Sequence, residues 1–227
     1  TIRIPSLSKE WVKDHVDFPA RAEVEAMRAR AGGKGVIIAT GHLGSFELLG
    51  FVYGIVVHPA AVIARTFQWQ RIDAWWNRVR GMGGNVTIRR EGAYKQVLKA
   101  LREGWDVGIL FDQNITRNNA FFVPWFGRNA ATTKAIGYAA ISTESPIIVT
   151  ALEQIGLDQY RLHIRECQVA HVLNDPALKK EEKAVEVTRI VAADFEKLIR
   201  EFPASWFWMH RRWKTAESGP EDFYRQA

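Results

Sequence analysis

The sequence predicts an α/β sandwich: a largely parallel central sheet flanked by helices. Two observations carry that prediction. Short apolar runs that suit buried strands alternate with longer stretches whose apolar residues recur at helical spacing. The chain has 227 residues, 47% of them hydrophobic, enough to fill a core on both faces of such a sheet.

The elements follow in order. Ser8 serves as N-cap for an amphipathic helix over 8–31, which Gly32-Gly33 stops. Residues 36–40 read as a buried strand and 45–57 as a helix. A second strand is predicted over 61–66, and the stripe at 69, 72, 76 and 79 predicts a helix over 69–81. A short strand over 85–89 leads to a helix over 91–103 and then to an apolar strand over 106–111 that ends at Asp112. Small residues over 132–144 read as a helix. Strands over 146–153 and 160–166 are joined by a loop at 156–158, and a long helix covers 181–201. There is no internal repeat and no low-complexity tract.

Charge and composition narrow the partners. The chain carries 31 basic and 25 acidic side chains, a net charge of +6, which favours phosphates, anionic headgroups, nucleic acid or an acidic carrier protein, or is an ordinary lysine-bearing surface. Cys167 is the single cysteine, so neither an intrachain disulfide nor a cysteine zinc site is available. Six of the nine tryptophans cluster at 69, 75 and 76 and at 206, 208 and 213, beside arginines. That pairing suits a membrane boundary, phosphate-bearing ligands or core packing. The helix over 69–81, with Arg71, Arg78 and Arg80, reads either as an interfacial helix or as one packed on the sheet. The least charged run, 48–64, is interrupted by Gly50, Gly54 and His58-Pro59 and reads as helix then strand rather than a bilayer span.

The chemically suggestive stretch is Thr40-Gly41-His42-Leu43-Gly44-Ser45-Phe46-Glu47. A histidine can take and return a proton near neutral pH. A carboxylate on its ring fixes the tautomer and stabilises the imidazolium, and Glu47 is the carboxylate that this spacing offers. In parallel sheets, ligands collect beyond the carboxyl ends of the strands. His42, Arg65 and Asp112 each end or follow a predicted strand, so they are expected on one edge. Free N–H groups at the start of the next helix would face developing negative charge there.

The same stretch resembles the H-x-G-N-W-E motif of the late acyltransferases of lipid A biosynthesis, relatives of the glycerolipid acyltransferases with a His-x4-acid motif. Phe111-Asp112-Gln113-Asn114 resembles the family's D-Q-D run. Phe122-Val123-Pro124-Trp125-Phe126-Gly127 with Ala130-Ala131-Thr132-Thr133 resembles F-V-P-F-F-G and its trailing A-x-T. Trp208-Met209-His210-Arg211-Arg212-Trp213-Lys214 resembles W-x-H-R-R-W-K, and Ile4-Pro5-Ser6-Leu7-Ser8 fits the lead-in. Ser45, Phe46 and Asn114 stand where the family has Asn, Trp and an acid.

The resemblance implies a glycerolipid-acyltransferase-like sandwich, one acyltransferase domain over 1–227, with an upstream membrane anchor missing. It implies transfer of a fatty acyl group from an acyl carrier protein or coenzyme A thioester to a hydroxyl of a lipid A precursor or similar glycolipid. The work would be done at the cytoplasmic face of the bacterial inner membrane, with no metal and no cofactor beyond the thioester. A mannosylated phosphoinositide is the alternative acceptor. His42 would act as base with Glu47 orienting it. Arg65 would anchor substrate or stabilise an oxyanion, or form a structural ion pair. Asp112 would position the acceptor, hold Arg65 or cap a loop. Arg80, Arg211 and Arg212 would meet headgroup phosphates or a carrier protein, or be solvated charges. His210, among aromatics, reads as structural. The rival functions are a metal-dependent hydrolase using His42, Glu47, Asp112 and His210, and a nucleic-acid-binding module on the Trp/Arg clusters. The first lacks H-E-x-x-H spacing and the second lacks a recognised motif.

Overall fold

Strands and helices alternate as predicted, with one break near the start and one added hairpin. The computed structural model describes residues 4–64, 68–89, 92–218 and 224. The expected helix over 8–31 is two helices, α1 (Lys9–His15) and α2 (Arg21–Arg30), separated by a short strand β1 (Val16–Asp17). Ser8 caps α1 by accepting the Trp11 N–H at 3.1 Å. Pro19 explains the break: it lacks an N–H and disfavours helical backbone at the residue before it. The extended segment then pairs with a strand far along the chain, Val16 beside Tyr160.

The remaining elements are β2 (Ile37–Thr40), α3 (Phe46–Val56), β3 (Ala60–Ala64), α4 (Gln70–Gly81), β4 (Val86–Arg89), α5 (Ala93–Arg102) and β5 (Asp106–Leu110). After them come β6 (Ala120–Trp125), β7 (Arg128–Thr133), α6 (Ala135–Thr143), β8 (Ile147–Gly156), β9 (Gln159–Glu166), α7 (Ala170–Leu173) and α8 (Lys180–Glu201). The β6–β7 hairpin replaces the first residues of the helix expected over 132–144. Thr132 and Thr133 are small enough to read as helix, but residues 130–133 pair antiparallel with 120–123 of β6, the strand that packs against α8. Pro124 sits in a two-stranded ribbon, where an edge position spares it a ladder N–H.

The main sheet has seven strands in the order β1-β9-β8-β2-β5-β3-β4. From β8 to β4 the strands are parallel; β9 runs antiparallel to β8, and β1 is parallel to β9. Helices cover both faces. Along β2, Ile37 and Ala39 face a core built with α5, α6 and α8, while Val36 and Ile38 face one built with α1, α2 and α3. Burial on both faces accounts for the uninterrupted apolar runs of the central strands.

A buried carboxylate ties the N-terminal ends of these strands together. Asp106 opens β5 and is fully buried. It accepts two hydrogen bonds from Arg28 of α2 at 2.8 and 2.6 Å, one from Tyr53 of α3 at 2.8 Å and one from the Val36 N–H at 2.9 Å. Burial first, and the Asp106 charge second, pushes the Tyr53 hydroxyl well above its usual pKa, so it donates at any ordinary pH. Asp106→Ala should strand the Arg28 charge and two donors, at a cost of about 3 kcal/mol. Urea unfolding checks this, and a midpoint unchanged from wild type would contradict it.

Candidate active site

The pairing of β2 with β5 sets Thr40 opposite Leu110, so residues two further on in each strand, His42 and Asp112, also lie side by side. Asp112 is 3% exposed. Its Oδ1 receives the His42 Nδ1 at 2.9 Å, and its Oδ2 accepts the His42 backbone N–H at 2.7 Å and the Trp206 indole N–H at 2.9 Å. Burial alone would raise the Asp112 pKa; the hydrogen bonds and charge of His42, with the Trp206 N–H, outweigh it and hold the carboxyl below its usual value. An ionised carboxylate only accepts, so the ring proton sits on Nδ1 and the Nε2 lone pair is left outward. There the Gln113 side-chain amide approaches Nε2 at 3.3 Å.

Glycine makes this contact possible. A Cβ on Gly41 would lie 2.5 Å from the Asp112 Cγ, so only glycine lets the carboxylate pass under His42. Gly44 turns the chain into α3 with a φ of +63°, and a Cβ there would meet the Leu152 carbonyl at 2.2 Å. The turn is held from both sides. Ser45 donates its N–H to Leu152 at 2.8 Å, Gly44 donates to Ser205 at 3.0 Å, and Phe207 donates to the His42 carbonyl at 3.0 Å. These bonds narrow one expectation: the Ser45 and Phe46 amides at the head of α3 are spent on Leu152 and Gly44.

Glu47 has a different neighbour from the one expected. In the first turn of α3 its carboxylate meets Arg80 of α4 at 3.3 Å, and the ring of His42 is held by Asp112 instead. The reason is topological: the adjacent strand end is level with His42, whereas Glu47 has already turned onto the helix face that packs toward α4. Arg80 also lies over Trp76, 5.6 Å from the ring centroid. Arg65 lies outside the described residues. Arg211 is exposed and lies 5.9 Å over the Tyr224 ring.

Arg212 is not the surface charge expected of it. It is 1% exposed, stacks on Trp125 at 4.5 Å and donates to the Ala131 carbonyl at 2.7 Å and the Thr132 hydroxyl at 2.5 Å. Burial pushes its pKa down to about 10. His210 is structural as read: its Nε2 accepts the Asn114 N–H at 2.7 Å, and burial lowers its pKa. Asn114 itself clasps Thr215, donating to its hydroxyl at 3.0 Å and accepting its N–H at 3.0 Å, an exchange an aspartate could not make. With His210 on Asn114 and Glu47 on Arg80, the four ligands imagined for a metal hydrolase are not gathered.

A pocket of about 600 Å³ opens beside His42. Phe46, Phe51, Ile63, Trp76, Val79 and Ile109 supply apolar walls, and Glu47, Arg80, Gln113 and Asn114 supply polar groups. Sequence reasoning did not single out Trp206 as a partner of Asp112, nor Gln113 as a neighbour of Nε2. The signal for Gln113 lay in its place within the D-Q-D-like run, and for Trp206 in the C-terminal tryptophan cluster.

Comparisons with known proteins identify the family. The family described as bacterial lipid A biosynthesis acyltransferase matches residues 1–215. The chain belongs to that family. A lipid A biosynthesis palmitoleoyltransferase of Escherichia coli K12 is 27% identical over 200 residues, covering 87% of this chain and 61% of the relative. A lipid A biosynthesis acyltransferase of Shigella flexneri gives the same figures, 27% over 200 residues. The chain therefore spans 61% of the length of these curated relatives.

Two variants test the arrangement in this family member. Trp206→Phe keeps an aromatic ring but removes one donor from Asp112, so the Asp112 pKa should rise; carboxyl-carbon NMR titration reads it, and an unchanged value would contradict the bond. Gly41→Ala should displace the carboxylate from His42, costing about 1–3 kcal/mol in unfolding free energy as buried donors lose their acceptor.

Proposed function

We propose that this chain transfers a fatty acyl group from a thioester to a hydroxyl of a lipid A precursor or similar glycolipid. The observation that carries the proposal is the His42–Asp112 pair, with Nε2 directed outward beside an apolar pocket of about 600 Å³. The donor is an acyl carrier protein or coenzyme A thioester, and no further cofactor takes part. Family membership supports this reaction class, and the apolar pocket supports an aliphatic acyl group.

The chemistry follows from the tautomer. Nε2 accepts the proton of the acceptor hydroxyl as its oxygen attacks the thioester carbonyl carbon. The imidazolium is stabilised by the Asp112 carboxylate. The tetrahedral oxyanion collapses, breaks the carbon–sulfur bond and expels a thiolate, which takes the proton back from Nε2. The ester is formed with no acyl-enzyme. The Gln113 amide, next to Nε2, serves as a donor to the reacting oxygens once the hydroxyl takes its place at the ring. Arg80, held by Glu47, offers a cation at the pocket wall for a phosphate or for a carrier's acidic surface. Arg65 and Arg211 are further anion-binding candidates.

The proposed place of action is the cytoplasmic face of the inner membrane. Among the described residues no helix is long and apolar enough to cross a membrane. On α4, exposed Ile72 and Trp75 lie beside exposed Arg71 and Arg78, the composition of a surface-lying helix.

His42→Ala and Asp112→Asn should each cut acyl transfer by about a hundred- to ten-thousand-fold while far-UV circular dichroism stays unchanged. Glu47→Gln leaves the ring's hydrogen bond intact, so it should raise KM more than it lowers kcat. Mass spectrometry of products from acyl thioesters and lipid A precursors provides the assay. A folded His42→Ala variant with wild-type turnover would contradict the proposed reaction.

A further inference from the structure

Next to His42 the chain forms an apolar tip, Phe207-Trp208-Met209, that the reaction does not use. Its side chains are 52%, 51% and 86% exposed. The tip is held firmly. Trp208 donates its indole N–H to the Pro203 carbonyl at 2.7 Å and packs edge-on to Trp206 at 4.6 Å. The Phe207 N–H donates to the His42 carbonyl at 3.0 Å, and its ring centre is 6.3 Å from the imidazole. Contiguous exposed apolar side chains mark an interaction site.

The segment that carries it is basic. Residues 203–216 carry Arg211, Arg212 and Lys214 and no acid. Arg212 is buried, while Arg211 and Lys214 are exposed. Arg200 lies 4.9 Å over Phe126, whose ring packs 5.7 Å from Trp208, but its charge is paired with Glu196 at 2.6 Å. Exposed Arg211 and Lys214 beside exposed Trp, Phe and Met match an anionic lipid surface. There the aromatic and thioether groups enter the headgroup–acyl boundary and the cations meet phosphates. An acidic protein would satisfy the cations but would need an apolar socket for the tip as well.

We propose that the 207–209 tip docks this chain on an anionic bilayer, placing the His42 mouth against the membrane surface. The choice of a lipid occupant rests on the acyl-transfer reading above, but the test does not depend on turnover. The full chain is sedimented with vesicles of phosphatidylethanolamine and phosphatidylglycerol. Met209→Asp should weaken binding about tenfold, as expected when one large apolar side chain fails to insert, and Met209→Ser should weaken it less in the same direction. Leu157→Asp alters an apolar side chain that is 94% exposed in the turn between β8 and β9, and it should bind as wild type. His42→Ala should also bind as wild type, which separates docking from chemistry. The proposal is overturned if Met209→Asp binds like wild type or if Leu157→Asp weakens binding equally. It is also overturned if the wild-type chain stays in the supernatant, whether monomeric or self-associated.

Discussion

The Asp112 carboxylate is the contact on which the site depends. One buried group accepts the imidazole of His42, the backbone N–H of the same residue and the indole of Trp206. It thereby joins the end of β5 to the end of β2 and to the segment after α8. Leaving a buried carboxylate without donors is costly, so each donor is held in place by the charge it serves. The ring's tautomer, the direction of Nε2 and the position of the 203–207 segment are all consequences of satisfying that one group.

The same strand carries a second buried acid at its other end. Asp106 gathers Arg28, Tyr53 and the Val36 N–H at the N-terminal end of β5, and Asp112 gathers the site beyond its C-terminal end. The division matches the general behaviour of parallel sheets, in which one edge is given to stability and the other to ligands. Asp106 also pins α3 through Tyr53, so the helix that carries Glu47 starts from a fixed axis. Glu47 then spends its charge on Arg80 and shapes the pocket wall instead of the imidazole.

Much of the fold was legible because buried parallel strands leave continuous apolar runs and helices leave periodic ones. What escaped detection depended on long-range pairing. Val16 and Asp17 form a strand only because β9 lies beside them, and Ala130 to Thr133 do so only because residues 120–123 do. His42, the flanking glycines and Asp112 were legible as candidates from their places at strand ends. The ring's partner was not, because register between β2 and β5 is absent from local spacing. A carboxylate five positions away looked nearer than one 70 positions away. Arg212 misled for a related reason: a cation in a basic run reads as surface until the carbonyl and ring that bury it are known.

The tautomer of His42 tests this arrangement most directly. Nitrogen-15 NMR of the imidazole at neutral pH, assigned by comparison with His42→Ala, reports which ring nitrogen carries the proton. The geometry predicts a protonated Nδ1, a bare Nε2, and loss of that preference in Asp112→Asn but not in Glu47→Gln. A proton on Nε2, or a preference that vanishes in Glu47→Gln and survives in Asp112→Asn, would contradict it.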